Sequence, residues 1–372
     1  MKLLVLSSAP LIASNEGWKA YSPYAKEMEI WARNADEILF CCPVWDNERG
    51  LLVSRLDFKI KNIRLIEFEL TSFSETIRSL FAAIVNIVRI FKAMRNADHI
   101  HLRCPGNIGL LACIVQVFFP SKPKTAKYAG NWDPKSEQPV SYKLQKWILS
   151  NTFLTKNMQV LVYGEWTNQT RNIKSFFTAT YTEKDKKPII ERHLQDTTIK
   201  LLFVGALSKG KRPLFAVRLA ESLFNNGHDV QLKLYGEGIE RETLEDYVRT
   251  HHLDSFISLM GNKSKDEIQV AYEQSHFLIL PSQSEGWPKV VAEAMFWGSI
   301  PVASKVSCVP SMLGEGKRGL FLTMDLEQDT ATIVDLIENP NQYKEMQDRA
   351  VGWSRKYTLD YFESEIKQLM KV

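Results

Sequence analysis

Short apolar runs alternate with longer segments of helical periodicity along most of this chain. The apolar runs predict buried strands at 2–7, 37–42, 160–163, 199–204, 230–235, 257–260, 277–280 and 300–303. The periodic segments predict helices at about 19–34, 74–95, 213–226, 241–252, 265–273 and 358–370. Strands that alternate regularly with helices are typical of doubly wound α/β domains with parallel sheets.

The length of 372 residues suggests two such domains, at about 150 residues each. A charged segment that ends in proline, residues 183–188, lies between the two series of strands and is interpreted as the linker. The sequence therefore predicts an N-terminal Rossmann-like domain over 1–187 and a second over 188–354.

One predicted helix, 74–95, has a strongly two-sided pattern. Its apolar positions recur at helical spacing and are Ile77, Leu80, Phe81, Ile84, Ile87, Val88 and Phe91. Arg78, Arg89 and Lys92 cluster on the other side. We expect the apolar side to pack on the sheet and the basic side to face solvent. The alternative is a surface that contacts anionic lipid.

Composition narrows the class of protein only moderately. A hydrophobic share of 45% and a charged share of 24% are ordinary for a soluble globular chain. The net charge of +4 does not call for nucleic acid, but it allows peripheral contact with the inner face of an anionic membrane. The five cysteines lack C-x-x-C spacing, which predicts buried free thiols in a reducing, cytoplasmic compartment.

The stretch 281–302 concentrates the candidate chemistry. A loop over 282–287 follows a strand, Pro288 suits the first turn of a helix, and Gly298 suits the position just past its end. Glu285 thus lies in the loop and Glu293 inside the helix. N–H groups of the first helical turn attract anions, and carboxylates on either side accept hydrogen bonds from hydroxyls. This arrangement suits a nucleotide-sugar.

The same stretch resembles the signature of family 4 glycosyltransferases, which have the GT-B fold. Glu285 and Glu293 match the E-x7-E motif of that family, and Gly298, Pro301 and Val302 match the segment that follows it. The resemblance implies that Glu285 faces the donor sugar and that Glu293 holds the ribose.

The resemblance also implies the architecture: two doubly wound Rossmann-like domains that face a cleft. It assigns the acceptor to the domain over 1–187 and the nucleotide-sugar to that over 188–354. A C-terminal helix at about 355–372 is expected to pack back on the first domain. The retaining stereochemistry of transfer comes from the family alone.

A second loop, 205–213, is close to a P-loop but lacks the Ser or Thr that binds magnesium, because Arg212 stands there. It is more similar to a basic loop of the family, with Lys211 on the lysine expected to hold the diphosphate. Ala206 replaces the family arginine, so its phosphate contact is expected from Lys209 or Arg212. Further donor contacts are expected from Gly205, Gly261, Gly286 and the amides of Trp287, Lys289 and Val290.

The N-terminal half offers weaker candidates. Gly17, after the first strand, is either a glycine close to the donor sugar or a plain turn glycine. Asn131, Trp132 and Asp133 follow a strand end. Trp132 is expected to stack on a sugar and Asp133 to accept a hydroxyl proton, or else the two are a core tryptophan and a turn aspartate.

Together these features predict a retaining glycosyltransferase that moves a sugar from a UDP- or GDP-linked donor to a saccharide or lipid-linked acceptor, in the synthesis of surface polysaccharide, lipopolysaccharide or glycolipid. The chain has no D-x-D sequence, so we expect no metal and no cofactor. Two alternatives remain open at this point: a nucleotide-sugar epimerase of the same fold and a non-catalytic nucleotide-sugar-binding protein.

Overall fold

The computed structural model describes residues 1–15, 17–68, 73–192, 194 and 198–371. The chain forms two compact units. Unit 1 consists of Met1–Phe176 and Phe362–Val372, and unit 2 consists of Phe177–Tyr361. The predicted α/β class is confirmed, because each unit is built on a parallel sheet.

Unit 1 contains two sheets. Its strands are β1 (Lys2–Leu6), β2 (Leu11–Ser14), β3 (Gly17–Tyr21), β4 (Glu37–Cys42), β5 (Val44–Trp45), β6 (Val53–Arg55), β7 (Ile60–Arg64), β8 (His99–Cys104), β9 (Lys124–Tyr128), β10 (Met158–Tyr163) and β11 (Ile173–Phe176). Seven of them form a parallel sheet in the order β11-β10-β9-β8-β1-β4-β7. A smaller sheet has the order β5-β2-β3-β6.

The smaller sheet was not predicted from the sequence. A helix was expected from about Lys19, but β2 and β3 form an antiparallel hairpin there, and β3 also pairs with β6. The helix begins only at Ser22, where Pro23 occupies the first turn. Strands this short carry little hydrophobic alternation, so their pairing is decided by tertiary contacts rather than by local pattern.

Four helices cover the sheet of unit 1: α1 (Ser22–Ala32), α2 (Phe73–Arg95), α3 (Asn107–Val115) and α4 (Val140–Ser150). The last three connect β7 to β8, β8 to β9 and β9 to β10, which are successive steps in one direction across the sheet. Because such crossovers are right-handed, α2, α3 and α4 lie on one face of the sheet and α1 on the other. Neighbouring helices of this three-helix layer pack on each other.

The prediction of α2 is confirmed, but the prediction of its inner side is wrong for Leu80, Phe81, Ile84, Ile87, Val88 and Phe91, which are exposed. The side chain of Ile77 lies outside the described residues. The inner side of α2 holds Asn86. The side-chain amide of Asn86 accepts a hydrogen bond from the N–H of Ile66 at 2.9 Å and donates one to the C=O of Ile66 at 2.8 Å. The apolar positions Phe81, Ile84 and Val88 are exposed instead, with 67%, 55% and 49% of their surface accessible. Ala82, Ile90, Ala93 and Met94 take the buried positions, so the helix has a second apolar side that is exposed.

A buried ionic cluster lies where β8 and β9 end. The carboxylate of Glu27, on α1, pairs with Arg103 at 3.0 Å and with Lys127 at 2.9 Å. Burial acts to raise the pKa of Glu27, but the two cations outweigh it and lower the pKa to about 2. Arg103 and Lys127 thus share one buried carboxylate at this end of the sheet.

Unit 2 is a second doubly wound domain. Its six strands are β12 (Ile199–Val204), β13 (Val230–Tyr235), β14 (Ile257–Gly261), β15 (Phe277–Leu280), β16 (Ile300–Ser304) and β17 (Leu320–Leu322). They are parallel, in the order β14-β13-β12-β15-β16-β17. The helices are α5 (Pro213–Asn225), α6 (Arg241–Thr250), α7 (Lys265–Gln274), α8 (Lys289–Phe296), α9 (Val309–Met312), α10 (Leu326–Glu338) and α11 (Pro340–Ser354).

The last helix, α12 (Leu359–Leu369), runs from one unit into the other. Phe362 packs against Phe176, and Arg33 pairs with Glu363 at 2.9 Å, both within unit 1. The structure divides the chain after Phe176 and after Tyr361, rather than after 187 and 354. The segment interpreted as a linker belongs to unit 2, because Glu183 accepts a hydrogen bond from Thr358 at 2.8 Å.

All five cysteines are buried free thiols, as expected. In the described part of the chain, the helices fall short of the length or the hydropathy that crossing a bilayer requires.

Candidate active site

The loop and helix predicted over 282–297 form as expected. Pro288 is the residue before the first turn of α8, and Gly298 follows the end of that helix with φ +80°. A Cβ atom at position 298 would come within 2.7 Å of Ile189, so both the backbone conformation and the space require glycine. Arg192 donates hydrogen bonds to the carbonyl groups of Trp297 and Gly298, which stabilises this end of α8.

Glu285 and Lys211 are brought together. The Lys211 ammonium lies 2.5 Å from the Glu285 carboxylate, and only 8% of the Glu285 side chain is exposed. A backbone hydrogen bond of 2.8 Å from Gln283 to Gly210 holds the two loops side by side. The two residues predicted for the sugar and the diphosphate therefore lie at one location.

The basic loop is held by two close backbone contacts. Leu207 donates to the carbonyl of Glu237, and Glu240 donates to that of Leu207, both at 2.9 Å. A Cβ atom at Gly236 would lie 1.9 Å from the Gly205 carbonyl oxygen, and one at Gly238 would lie 2.3 Å from that of Leu207. Only glycine fits at these two positions, which the sequence did not single out for that reason.

The two other cations of the basic loop differ in their surroundings. Lys209 is exposed, whereas Arg212 has left-handed backbone with φ +50° and immediately precedes α5. When the Gln283 amide is oriented with its oxygen toward the guanidinium, that oxygen accepts hydrogen bonds of 3.2 Å from Nε and Nη2 of Arg212. Arg212 is thus tied to the loop that carries Glu285, and Lys209 is directed to solvent.

Glu293 has both carboxylate oxygens engaged. One accepts a hydrogen bond from the Thr180 hydroxyl at 2.6 Å, and the other accepts one from Tyr272 at 3.0 Å. Burial, and then the charge of Glu293, raise the pKa of Tyr272 well above its usual value, so the phenol stays a donor. A carboxylate offers about four acceptor positions, so this orientation leaves room for further hydroxyls.

We expect Glu293→Gln to weaken the binding of nucleoside diphosphate and of donor alike by roughly ten-fold or more, because charged hydrogen bonds contribute about 1.5–3 kcal/mol each. Tyr272→Phe should weaken both to a smaller extent, since it frees the carboxylate to turn without removing it. Calorimetry on folded protein measures both effects. Glu242→Gln, on the exposed side of α6, is the charge-matched control, and equal affinities in Glu293→Gln and wild type would contradict the assignment.

The remaining donor-site candidates lie around the same loop. The Gly286 carbonyl accepts from the Cys308 thiol at 3.0 Å, and burial raises the pKa of that thiol to about 12. Trp287 stacks against Trp353, with ring centroids 6.3 Å apart. Lys289 and Val290 are the first residues of α8, where backbone N–H groups point out of the helix.

Gly261 ends β14 with φ +70°, and its carbonyl accepts from the amide of Gly236 at 2.9 Å. It therefore neighbours the turn that packs on the basic loop. A glycine ends or directly follows each of the adjacent strands β12, β13 and β14: Gly205, Gly236 and Gly261. The surface at the carboxyl ends of these strands is therefore formed by backbone rather than by side chains.

The candidates in unit 1 are less well placed. Trp132 is 6% exposed and packs edge-on against Tyr128, so little of its ring remains for a sugar. Asp133 caps a turn: its carboxylate accepts from the Lys135 amide at 2.8 Å, and its own amide donates to Asn131 at 2.9 Å. These contacts agree with the alternative of a core tryptophan and a turn aspartate.

Gly17 begins β3 at the tip of the hairpin, with φ +118°. It lines a pocket of about 700 Å³ together with Asp36 and Glu37, at the amino end of β4. Asn131 follows the carboxyl end of β9, a strand parallel to β4 through the shared sheet. Gly17 and Asn131 therefore lie at opposite ends of the parallel strands of that sheet and do not form one site.

Comparison with known proteins agrees with the geometry of unit 2. Residues 185–353 match the family model described as glycosyl transferases group 1. An uncharacterized glycosyltransferase of Haemophilus influenzae is 30% identical over 179 residues, which are 48% of this chain and 50% of that protein. The chain spans about half the length of the curated relatives it matches.

Two solved structures extend the similarity of fold to the whole chain. HepE of Anabaena, in complex with UDP, has a TM-score of 0.69 at 14% identity, covering 100% of both chains. The lipopolysaccharide outer core galactosyltransferase WaaB has a TM-score of 0.69 at 15% identity, also covering 100% of both. The chain has the GT-B fold, and its residues 185–353 are similar to the glycosyl transferases group 1 family.

Proposed function

We propose that the protein is a retaining glycosyltransferase that moves a sugar from a nucleotide diphosphate-sugar to an acceptor hydroxyl. The observation that carries the proposal is the convergence of Glu285, Lys211 and the N-terminus of α8 on one location, with Glu293 on the same helix. One carboxylate for the sugar, cations and amides for the diphosphate, and a second carboxylate for the ribose match the parts of such a donor in order.

The proposed mechanism needs no metal. The leaving diphosphate would be held by Lys211, with Arg212 or Lys209 in support, and by the first amides of α8. Arg212 is the better placed of the two supporting cations, because its contact with Gln283 fixes it beside the loop that carries Glu285. The acceptor is proposed to be a saccharide or a lipid-linked saccharide of surface polysaccharide, lipopolysaccharide or glycolipid synthesis, with the protein in the cytoplasm and in peripheral contact with a membrane.

A screen of UDP- and GDP-sugars by thermal unfolding tests the donor. A ligand that binds only the native state stabilises it by about 2.7 kcal/mol at a concentration of one hundred times Kd. We expect one nucleotide series to raise the melting temperature, and the rise should persist in excess chelator. A rise that requires magnesium or manganese would contradict the metal-free mechanism. Donor conversion without acceptor would indicate an epimerase, and binding without turnover over a panel of saccharide acceptors would indicate a binding protein.

A further inference from the structure

The outer surface of the three-helix layer of unit 1 is apolar. We define the layer face by Phe81, Ile84 and Val88 on α2, Phe118 after α3, and Leu144 and Trp147 on α4, all of them exposed. Phe118 is 69% and Trp147 60% accessible. Large apolar side chains that are exposed together on neighbouring helices indicate an interaction site.

Two helices of the layer have an exposed apolar side in addition to the side that is buried. On α2 the buried side contains Asn86, fully enclosed and hydrogen-bonded to Ile66, while Phe81, Ile84 and Val88 are exposed. On α4 the exposed positions Leu144 and Trp147 lie on one stripe, with the buried Ile148 beside it and the buried Leu149 on the opposite side. Both helices therefore present a second apolar side beyond the one that covers the sheet.

The charge of the surroundings indicates the partner. Arg89, Lys92 and Arg95 on α2 and Lys143 on α4 are exposed among these apolar residues, whereas the side chain of Arg78 lies outside the described residues. The sequence contains no Asp or Glu over 79–97, 99–132 or 138–164. A second copy of this chain would meet the same positive charge, which disfavours self-association through this face.

We propose that the layer face docks on an anionic lipid bilayer, with Phe81, Ile84, Val88, Phe118 and Trp147 entering the interface and the lysines and arginines contacting the headgroups. Apolar insertion and electrostatic attraction to anionic lipid add in such a contact, and tryptophan favours the boundary between headgroups and acyl chains. The contact is peripheral, because these helices lie along the surface of the domain. Docking extends the proposed function, but it does not require the donor site.

Co-sedimentation of the full chain with vesicles tests the proposal. Phosphatidylcholine vesicles that contain phosphatidylglycerol should bind the protein, vesicles of phosphatidylcholine alone should bind it much less, and added salt should weaken the binding. The double variant Phe81→Ser with Trp147→Ser should lower the partition coefficient by roughly ten-fold or more, since it removes two inserted rings. The variant Arg89→Gln with Lys143→Gln should lower it selectively on anionic vesicles.

Matched controls distinguish binding through the layer face from the effect of losing exposed apolar residues or positive charge anywhere on the protein. Leu51→Ser with Leu52→Ser removes two apolar residues of unit 1 that are 37% and 75% exposed elsewhere, and Lys59→Gln removes an exposed cation of unit 1. These variants should bind vesicles as wild type does. All variants should bind nucleoside diphosphate normally, so vesicle binding and donor binding can fail independently.

Three results would overturn the proposal: equal vesicle binding by wild type and the layer-face variants, equal loss in the control variants, or a concentration-dependent dimer that Phe81→Ser with Trp147→Ser converts to monomer. The last would assign the face to a second copy of the chain.

Discussion

Replacing Lys211 by alanine is expected to lower the rate of sugar transfer by roughly 10²-fold or more, with a smaller change in donor affinity. Negative charge grows on the diphosphate as the sugar leaves, and an interaction that strengthens with that charge lowers the barrier more than it tightens binding. The ion pair with Glu285 adds a second reason. The Lys211 ammonium is already paired with a carboxylate before the donor binds, so part of its attraction for the ground-state diphosphate is offset.

The measurement is single-turnover transfer together with calorimetric donor affinity on the same preparation. Lys209→Ala is the matched control, because it removes an exposed lysine from the same loop. Arg212→Ala should give an intermediate loss. If Lys209→Ala or Arg212→Ala lowers the transfer rate much more than Lys211→Ala does, the phosphate-binding role belongs to a different cation. The largely buried Glu285 loses its partner in Lys211→Ala, so melting temperature must be measured alongside activity.

Glu285→Gln should lower transfer by roughly 10²-fold or more while leaving the affinity for nucleoside diphosphate nearly unchanged. The proposed role of this carboxylate is to orient the hexose, and small errors in the position of a reacting atom have effects of this size. The glutamine side chain has nearly the same volume, so the loop should keep its fold. The charge-matched control is Glu245→Gln, which removes a surface ion pair with Arg241 in the same unit.

A parallel loss of transfer and of nucleotide affinity would move Glu285 from the sugar to the nucleotide. A lower melting temperature with normal specific activity in the folded fraction would assign it a structural role. The structure makes one further distinction available. If Glu285 serves mainly to hold Lys211 in place, then Lys211→Ala and Glu285→Gln should be non-additive in transfer rate, because both remove the same interaction.

The sequence predicts unit 2 better than unit 1, and the reason lies in the kind of signal. Strand β15, the loop with Glu285 and helix α8 follow one another within a short stretch, and turn residues such as Pro288 and Gly298 mark their limits. Local chemistry therefore decides the local structure. The hairpin of β2 and β3 lacks turn residues that predict its limits, and its pairing with β6 depends on residues that are distant in sequence.

The site shows the same limit. Glu293 was predicted from its motif, but its partners Thr180 and Tyr272 were not, because Thr180 is 113 residues away along the chain and neither residue belongs to a motif. Periodicity likewise identified both sides of α2 but could not say which one meets the sheet. Which side of a helix is buried depends on its neighbours, and on α2 the buried side holds Asn86, Ile90 and Met94 rather than Phe81 and Val88.

Unit 1 is discontinuous, and this affects the order in which the protein can be made. Its final segment, Phe362–Val372, leaves the ribosome after all of unit 2. Until then Phe176 lacks the ring of Phe362, Lys174 lacks the carboxylate of Glu365, and Lys127 lacks one of the rings around its ammonium. Domains usually mature in the order of synthesis. In this chain unit 1 begins before unit 2 and is completed after it, so the nascent N-terminal segment lacks these contacts until unit 2 has been synthesised.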